Sequence, residues 1–177
     1  MEKVNLVGTP LNPGVTLEPN LDRNVGDQSN SYARLIGELQ FLTNAMQPDI
    51  TFAISQLLSY TANSTMQHVS VLKHVLCYLS GTRSFSITYS NILGHPNYFL
   101  GYTDASFTNM DDLKSITRYV FMMASGTITW FSKKQSITAM LTTEAKYIAL
   151  SEAAHEAQWL RNLFSELGFA QTLPTII

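Results

Sequence analysis

From Tyr32 onward, hydrophobic side chains return at steps of three and four: Tyr32, Leu35, Ile36, Leu39, Leu42 and Met46. That spacing predicts a helix with one apolar face. Pro48-Asp49 ends it and opens another, because proline suits a first helical turn and aspartate complements the positive end of the helix dipole. Ile50, Ala53, Ile54, Leu57 and Leu58 form the buried stripe of this second helix. Ser64-Thr65-Met66-Gln67 has the spacing of a capping box, and Val69, Leu72, Val75, Leu76 and Leu79 follow as a third amphipathic run that Gly81 ends. Before these helices, Pro10, Pro13, Gly14, Pro19 and Gly26 interrupt the first thirty residues, which read as a linker or wrapping arm.

After Gly81 the period changes from helical to alternating. Phe85, Ile87 and Tyr89 share one face of a predicted strand, so a unit boundary falls near residues 80–84. Tyr98-Phe99-Leu100-Gly101-Tyr102-Thr103 reads as another strand that delivers Asp104 at its C-terminal end, before a polar stretch containing Asp111-Asp112. Residues 117–124 and 127–132 form two more, joined by a Ser125-Gly126 turn. From Thr142-Thr143 a long helix is predicted, with Leu150, Ala153, Ala154, Ala157, Leu160, Phe164 and Leu167 on one face and Gly168 closing it. Pro174-Thr175-Ile176-Ile177 has the look of a strand's beginning. Helices, then strands, then one long helix predict an α+β fold: a three-helix unit over residues 31–81 behind an arm of residues 1–30, and a second unit with a sheet and long helix over residues 82–177.

A hydrophobic fraction of 45% with only 14% charged residues excludes a disordered tail. No apolar run approaches the roughly 20 residues of a membrane span, so no membrane partner is expected. Met1-Glu2-Lys3-Val4-Asn5-Leu6 lacks a basic segment followed by an apolar stretch, which predicts an intracellular protein without a secretory signal. The single cysteine, Cys77, lies among Val75, Leu76 and Leu79 and reads as core packing. A net charge of −2 means that nucleic-acid contact would rest on local groups such as Lys133-Lys134, or Lys73 with Arg83. Taken alone, either pair reads more simply as solvated surface.

Two carboxylates stand where chemistry is possible: Asp104 at a strand end and Glu144 in the first turn of a helix. Such a pair can hold a divalent ion, since hard oxygen ligands suit Mg²⁺ and the cation relieves their repulsion. The simpler account of each is a cap or a solvated charge. His155-Glu156 begins a zinc-protease-like motif, but the second histidine is missing and Trp159 occupies that turn. Asp111-Asp112 reads as a turn with solvated charge.

The order of segments resembles the ribonuclease H region of copia-type retrotransposon Pol polyproteins over nearly the whole chain. Tyr32-Ala33-Arg34-Leu35-Ile36-Gly37-Glu38-Leu39 and Pro48-Asp49-Ile50-Thr51-Phe52-Ala53 resemble the family segment after the reverse transcriptase palm, which implies a thumb- or connection-like helical unit. Gly101-Tyr102-Thr103-Asp104-Ala105 resembles the first active-site strand. Trp130-Phe131-Ser132-Lys133-Lys134-Gln135 and Thr142-Thr143-Glu144-Ala145-Lys146-Tyr147 resemble the third strand and the start of the active-site helix. Trp159-Leu160-Arg161 and Glu166-Leu167-Gly168 match its end.

The resemblance implies a partial ribonuclease H-like domain, a mixed sheet with a long helix. It places Asp104 and Glu144 on the first two catalytic, metal-holding carboxylates and Lys133, Lys134 and Gln135 near the backbone of an RNA–DNA hybrid. In the family two Mg²⁺ ions about 4 Å apart serve hydrolysis of the RNA strand. Third and fourth carboxylates are expected past Thr175-Ile176-Ile177, so the chain by itself is expected to bind metal weakly and to cleave poorly. Its expected partners are an RNA–DNA hybrid, the remainder of the Pol polyprotein and, through an exposed strand edge, a second copy. Ser106-Phe107 replaces the usual Asp-Trp, Lys146 the usual glutamate and Arg118 a common glycine, where it is expected to strain the strand. These departures fit a drifting genomic copy, and the alternative function is a non-catalytic remnant serving as a binding or structural module.

Overall fold

The computed structural model describes residues 7–20, 29–90, 99–107 and 114–177. The chain divides into two compact units, Met1–Ser86 and Ile87–Ile177. Both α-helices and β-strands are present, with the helices of the first unit preceding the sheet of the second.

In the first unit, α1 (Ser29–Ala45) is followed by a 3-10 turn (Pro48–Ile50), α2 (Thr51–Leu58) and α3 (Met66–Gly81). Their apolar stripes meet in one core built from Tyr32, Ile36, Leu39, Ile50, Ile54, Leu57, Leu72 and Val75. The Tyr32 hydroxyl donates to the Leu57 carbonyl at 2.9 Å, so a buried phenol ties α1 to the end of α2; burial pushes its pKa up. Tyr78 reaches Asp49 in the 3-10 turn at 2.7 Å. Burial first, and then the Asp49 carboxylate, push its pKa up to about 12. Residues 7–20 carry no helix or strand, yet Leu17 is buried in the core and Val7, Leu11 and Val15 pack on it.

Local details differ from the sequence reading in ways that have simple causes. The cap of α3 is Thr65, one residue later than the expected Ser64. Thr65 accepts from the His68 amide, and His68 replaces Gln67 as the side chain that reaches back, its Nδ1 accepting from the Thr65 N–H at 2.9 Å. Met46 lies past the end of α1 and is exposed, and Leu76 sits at the rim of the α3 stripe. Cys77 is half-buried rather than fully in the core.

The second unit is a meander, β1 (Leu100–Ser106), β2 (Ile116–Met123) and β3 (Gly126–Lys134), in the spatial order β1-β2-β3, followed by α4 (Thr142–Glu166). All three strands pair antiparallel. Among the described residues the expected mixed character shows as one parallel bridge, Leu100 with Ile176, where the Gly101 N–H donates to the Ile176 carbonyl at 2.7 Å. The hairpin loop is Ala124-Ser125 rather than Ser125-Gly126, since Met123 pairs with Gly126. Both loop residues have positive φ, 51° and 66°, the handedness that a two-residue turn needs to match strand twist.

The predicted strand over residues 85–89 does not form. Phe85 and Tyr89 are exposed, the Tyr89 hydroxyl donates to the Thr127 carbonyl at 2.7 Å, and the Ser90 N–H reaches the Ala124 carbonyl at 2.9 Å. The alternation is real, but these residues gain no ladder partner among the described residues.

Alanines 145, 149, 153 and 157 recur every four residues on the buried side of α4. Their small side chains let the helix approach β1 and β2, where Phe99, Phe121 and Leu160 complete the core. Gly101 faces Phe121 across the ladder, and a Cβ there would stand 2.6 Å from the ring. Leu150, Ala154 and Leu167 were expected on the buried face but are exposed, because the alanine stripe is rotated from the one read in the sequence. Gly168, at φ +85°, ends α4 as expected: Phe169 N–H to Phe164 carbonyl and Gly168 N–H to Ser165 carbonyl form a Schellman closure. Among the described residues no helix is long and apolar enough to cross a membrane.

Candidate functional site

Asp104 lies within β1, two residues before its end, rather than closing it. Directly opposite in the ladder is Arg118 of β2. The Arg118 Nη2 meets the Asp104 Oδ2 at 3.2 Å, with the two side chains 37% and 63% exposed. Arg118 does not take a positive φ, so its own backbone needs no glycine there, and the guanidinium turns to the acid.

Strand alternation assigns the faces of the sheet. Thr117, Tyr119 and Phe121 share a face with Gly101, Thr103 and Ala105, their register partners. This is the α4 face: Phe121 packs with Ala153, Ala157 and Leu160, and the Thr129 hydroxyl donates to Glu156 at 3.0 Å. The Tyr119 phenol is pushed up by burial, then by the charge and hydrogen bond of Glu156, then by the charge of Glu152. Asp104 and Arg118 therefore stand on the other face.

Glu144 is in the first turn of α4, and its Oε2 accepts the Met140 N–H at 2.7 Å. The carboxylate anchors the chain entering the helix and complements the positive helix end. The two carboxylates singled out in the sequence are thus held by separate partners, one across a strand pair and one at a helix start.

The remaining sequence candidates separate as well. Lys133 is exposed and, pairing with Thr117, takes the α4 face; Lys134 pairs with Ile116 and takes the face of Asp104. Gln135 is 2% exposed, so its side chain is turned inward and not toward a nucleic-acid backbone. Its amide donates to the Thr117 hydroxyl at 3.1 Å and to the Ala145 carbonyl at 2.9 Å, which ties the end of β3 to β2 and to the first turn of α4. It thereby positions Glu144 one residue away. Glu156 works within the sheet-helix interface, accepting from Thr129, while His155 is exposed on α4. Asp111 and Asp112 lie outside the described residues.

A divalent ion held by hard ligands needs several oxygens converging on one point. Among the described residues no group of three or more His, Cys, Asp or Glu is placed to hold a metal ion. With Asp104 on a guanidinium and Glu144 on a backbone amide, these residues do not by themselves fit a two-ion site.

The observed class is an α+β protein whose second unit sets one acidic strand residue beside a three-stranded sheet and a long helix. The chain is 31% identical over 177 residues to the retrovirus-related Pol polyprotein from transposon TNT 1-94 of Nicotiana tabacum, covering 97% of this chain and 13% of that protein. It is 31% identical over 172 residues to the corresponding polyprotein from transposon RE1 of Arabidopsis thaliana, covering 97% and 12%. The chain belongs to the retrovirus-related Pol polyproteins of transposons. It spans about an eighth of the length of these relatives. It is also 32% identical over 130 residues to secreted RxLR effector protein 161 of Plasmopara viticola, covering 73% of this chain and 90% of that protein. No family model matches the chain. No solved structure matches it either.

Proposed function

We propose that the second unit is a ribonuclease H-like scaffold from a Pol polyprotein, the part that engages RNA paired to DNA, and that the first unit is its reverse transcriptase-side connection. The observation that carries this reading is the parallel bridge of Ile176 beside Leu100. After an antiparallel meander and a long helix, the chain returns to the free side of the strand that bears Asp104. A crossover helix is the connection that parallel neighbours require. Asp104 and Glu144 are the acidic positions of this reading, Mg²⁺ is the ion they would hold together with further oxygen ligands, and Lys133 and Lys134 supply charge for the hybrid backbone.

A second reading, a non-catalytic module derived from a retroelement, is favoured by the engagement of Asp104 with Arg118. The two readings part on binding and cleavage. Fluorescence anisotropy with a labelled RNA–DNA hybrid is expected to show weak binding that falls with salt and weakens further when Lys133 and Lys134 are both changed to alanine. The hybrid is expected to be preferred over duplex DNA, because the 2′-hydroxyl distinguishes them. Equal binding of hybrid and duplex refutes the hybrid-directed reading and leaves the module.

A further inference from the structure

Arg118 is more than a tolerated substitution in a strand. It is the direct cross-strand neighbour of Asp104, and the two side chains meet at 3.2 Å while both stay partly exposed. A guanidinium keeps its charge at any pH the fold survives and presents several donors in a plane suited to a carboxylate. The charge of Asp104 is therefore already balanced within the protein. An incoming ion either displaces the guanidinium from Oδ2 or takes the other carboxylate oxygen, and on both routes it remains beside a fixed positive charge. The other acidic candidate is partly engaged too, because the Glu144 Oε2 accepts the Met140 amide.

We propose that Arg118 holds the place of a cation beside Asp104 and keeps divalent ions off that carboxylate, so that this residue silences the acidic position as an ion ligand. The inference rests on reading Asp104 as the family's metal-side acid. The sequence shows the departure at residue 118; only the register shows what the arginine does.

Mn²⁺ serves as the probe, followed by electron paramagnetic resonance on the full chain, because free and bound ion are counted without any need for cleavage. Arg118→Ala and Arg118→Gln are each compared with the parent, alone and combined with Asp104→Asn. The glutamine variant keeps most of the side-chain volume where alanine disturbs the sheet, and circular dichroism checks that each variant is folded. A positive charge a few ångströms from a divalent ion in a water-like medium weakens binding by about tenfold after salt screening. Both single variants are expected to bind Mn²⁺ about tenfold more tightly than the parent, and Asp104→Asn is expected to abolish the gain. Equal, Asp104-dependent binding by parent and variants overturns the proposal while leaving Asp104 as an ion ligand. A gain that survives Asp104→Asn also overturns it. Absence of Asp104-dependent binding in every form overturns both the proposal and the reading beneath it.

Discussion

Replacing Gln135 with alanine should loosen the second unit at the point where its sheet meets its helix. The Gln135 side chain is buried and donates twice, to Thr117 and to Ala145, both of which are fully buried. Alanine removes the two donors and leaves a buried hydroxyl and a buried carbonyl to find other partners. Each lost bond costs about 1 kcal/mol net, and a stranded buried acceptor costs about 1–3 kcal/mol. With the space left by the missing amide, the expected loss is about 2–4 kcal/mol. Gln135→Met keeps the volume and isolates the polar part, so it should lose about half as much. Both tryptophans, Trp130 and Trp159, belong to the second unit, and their fluorescence follows its unfolding separately from the first. For a urea m-value of about 1.5 kcal/mol/M, the alanine variant's midpoint should fall by about 1.3–2.7 M. Ser136→Ala, at the exposed next residue, should leave the midpoint nearly unchanged. A Gln135→Ala midpoint within about 0.3 M of the parent, the range of an ordinary surface change, would refute the argument.

Other substitutions test the remaining structural claims. Gly101→Ala sets a methyl group against the Phe121 ring and should cost about 1–3 kcal/mol by the same fluorescence assay. Changing Ala124 to Asn together with Ser125 to Gly suits both positive φ values and should stabilise the second unit by about 1 kcal/mol; a lower urea midpoint would show that the turn is not of this type. Thr65→Ala should cost the first unit about 1 kcal/mol through loss of the α3 cap. Burial lowers the pKa of His68, which is fully enclosed and stacks on Tyr60 at 4.2 Å. The unfolded chain then binds the proton more readily, so this contribution to stability is complete above the ordinary histidine pKa of about 6.5 and is lost as pH falls through the lower folded value. Urea unfolding followed by the NMR ring signals of Tyr32 and Tyr78 should therefore weaken from pH 7 to pH 5, and His68→Gln should flatten that dependence.

The amino-acid sequence by itself determined the features that are local. The three amphipathic runs became α1, α2 and α3 because a helix needs only neighbours three and four residues away, and Gly168 ended α4 because a left-handed closure is decided at that residue. The hairpin was legible to within one residue, though which two residues make the turn depended on how Met123 met Gly126. Tertiary structure decided what required a distant partner. Residues 85–89 alternate like a strand but found no ladder, since alternation shows which side chains share a face and carries nothing about who pairs with them. Gln135 reads in the sequence as a nucleic-acid contact beside two lysines, whereas the fold encloses it between Thr117 and Ala145. Asp104 and Glu144 were visible as acids; their separation onto a guanidinium and a backbone amide was not. That outcome depends on the β1–β2 register, in which a slip of one residue would have turned Arg118 to the opposite face and left Asp104 with another neighbour.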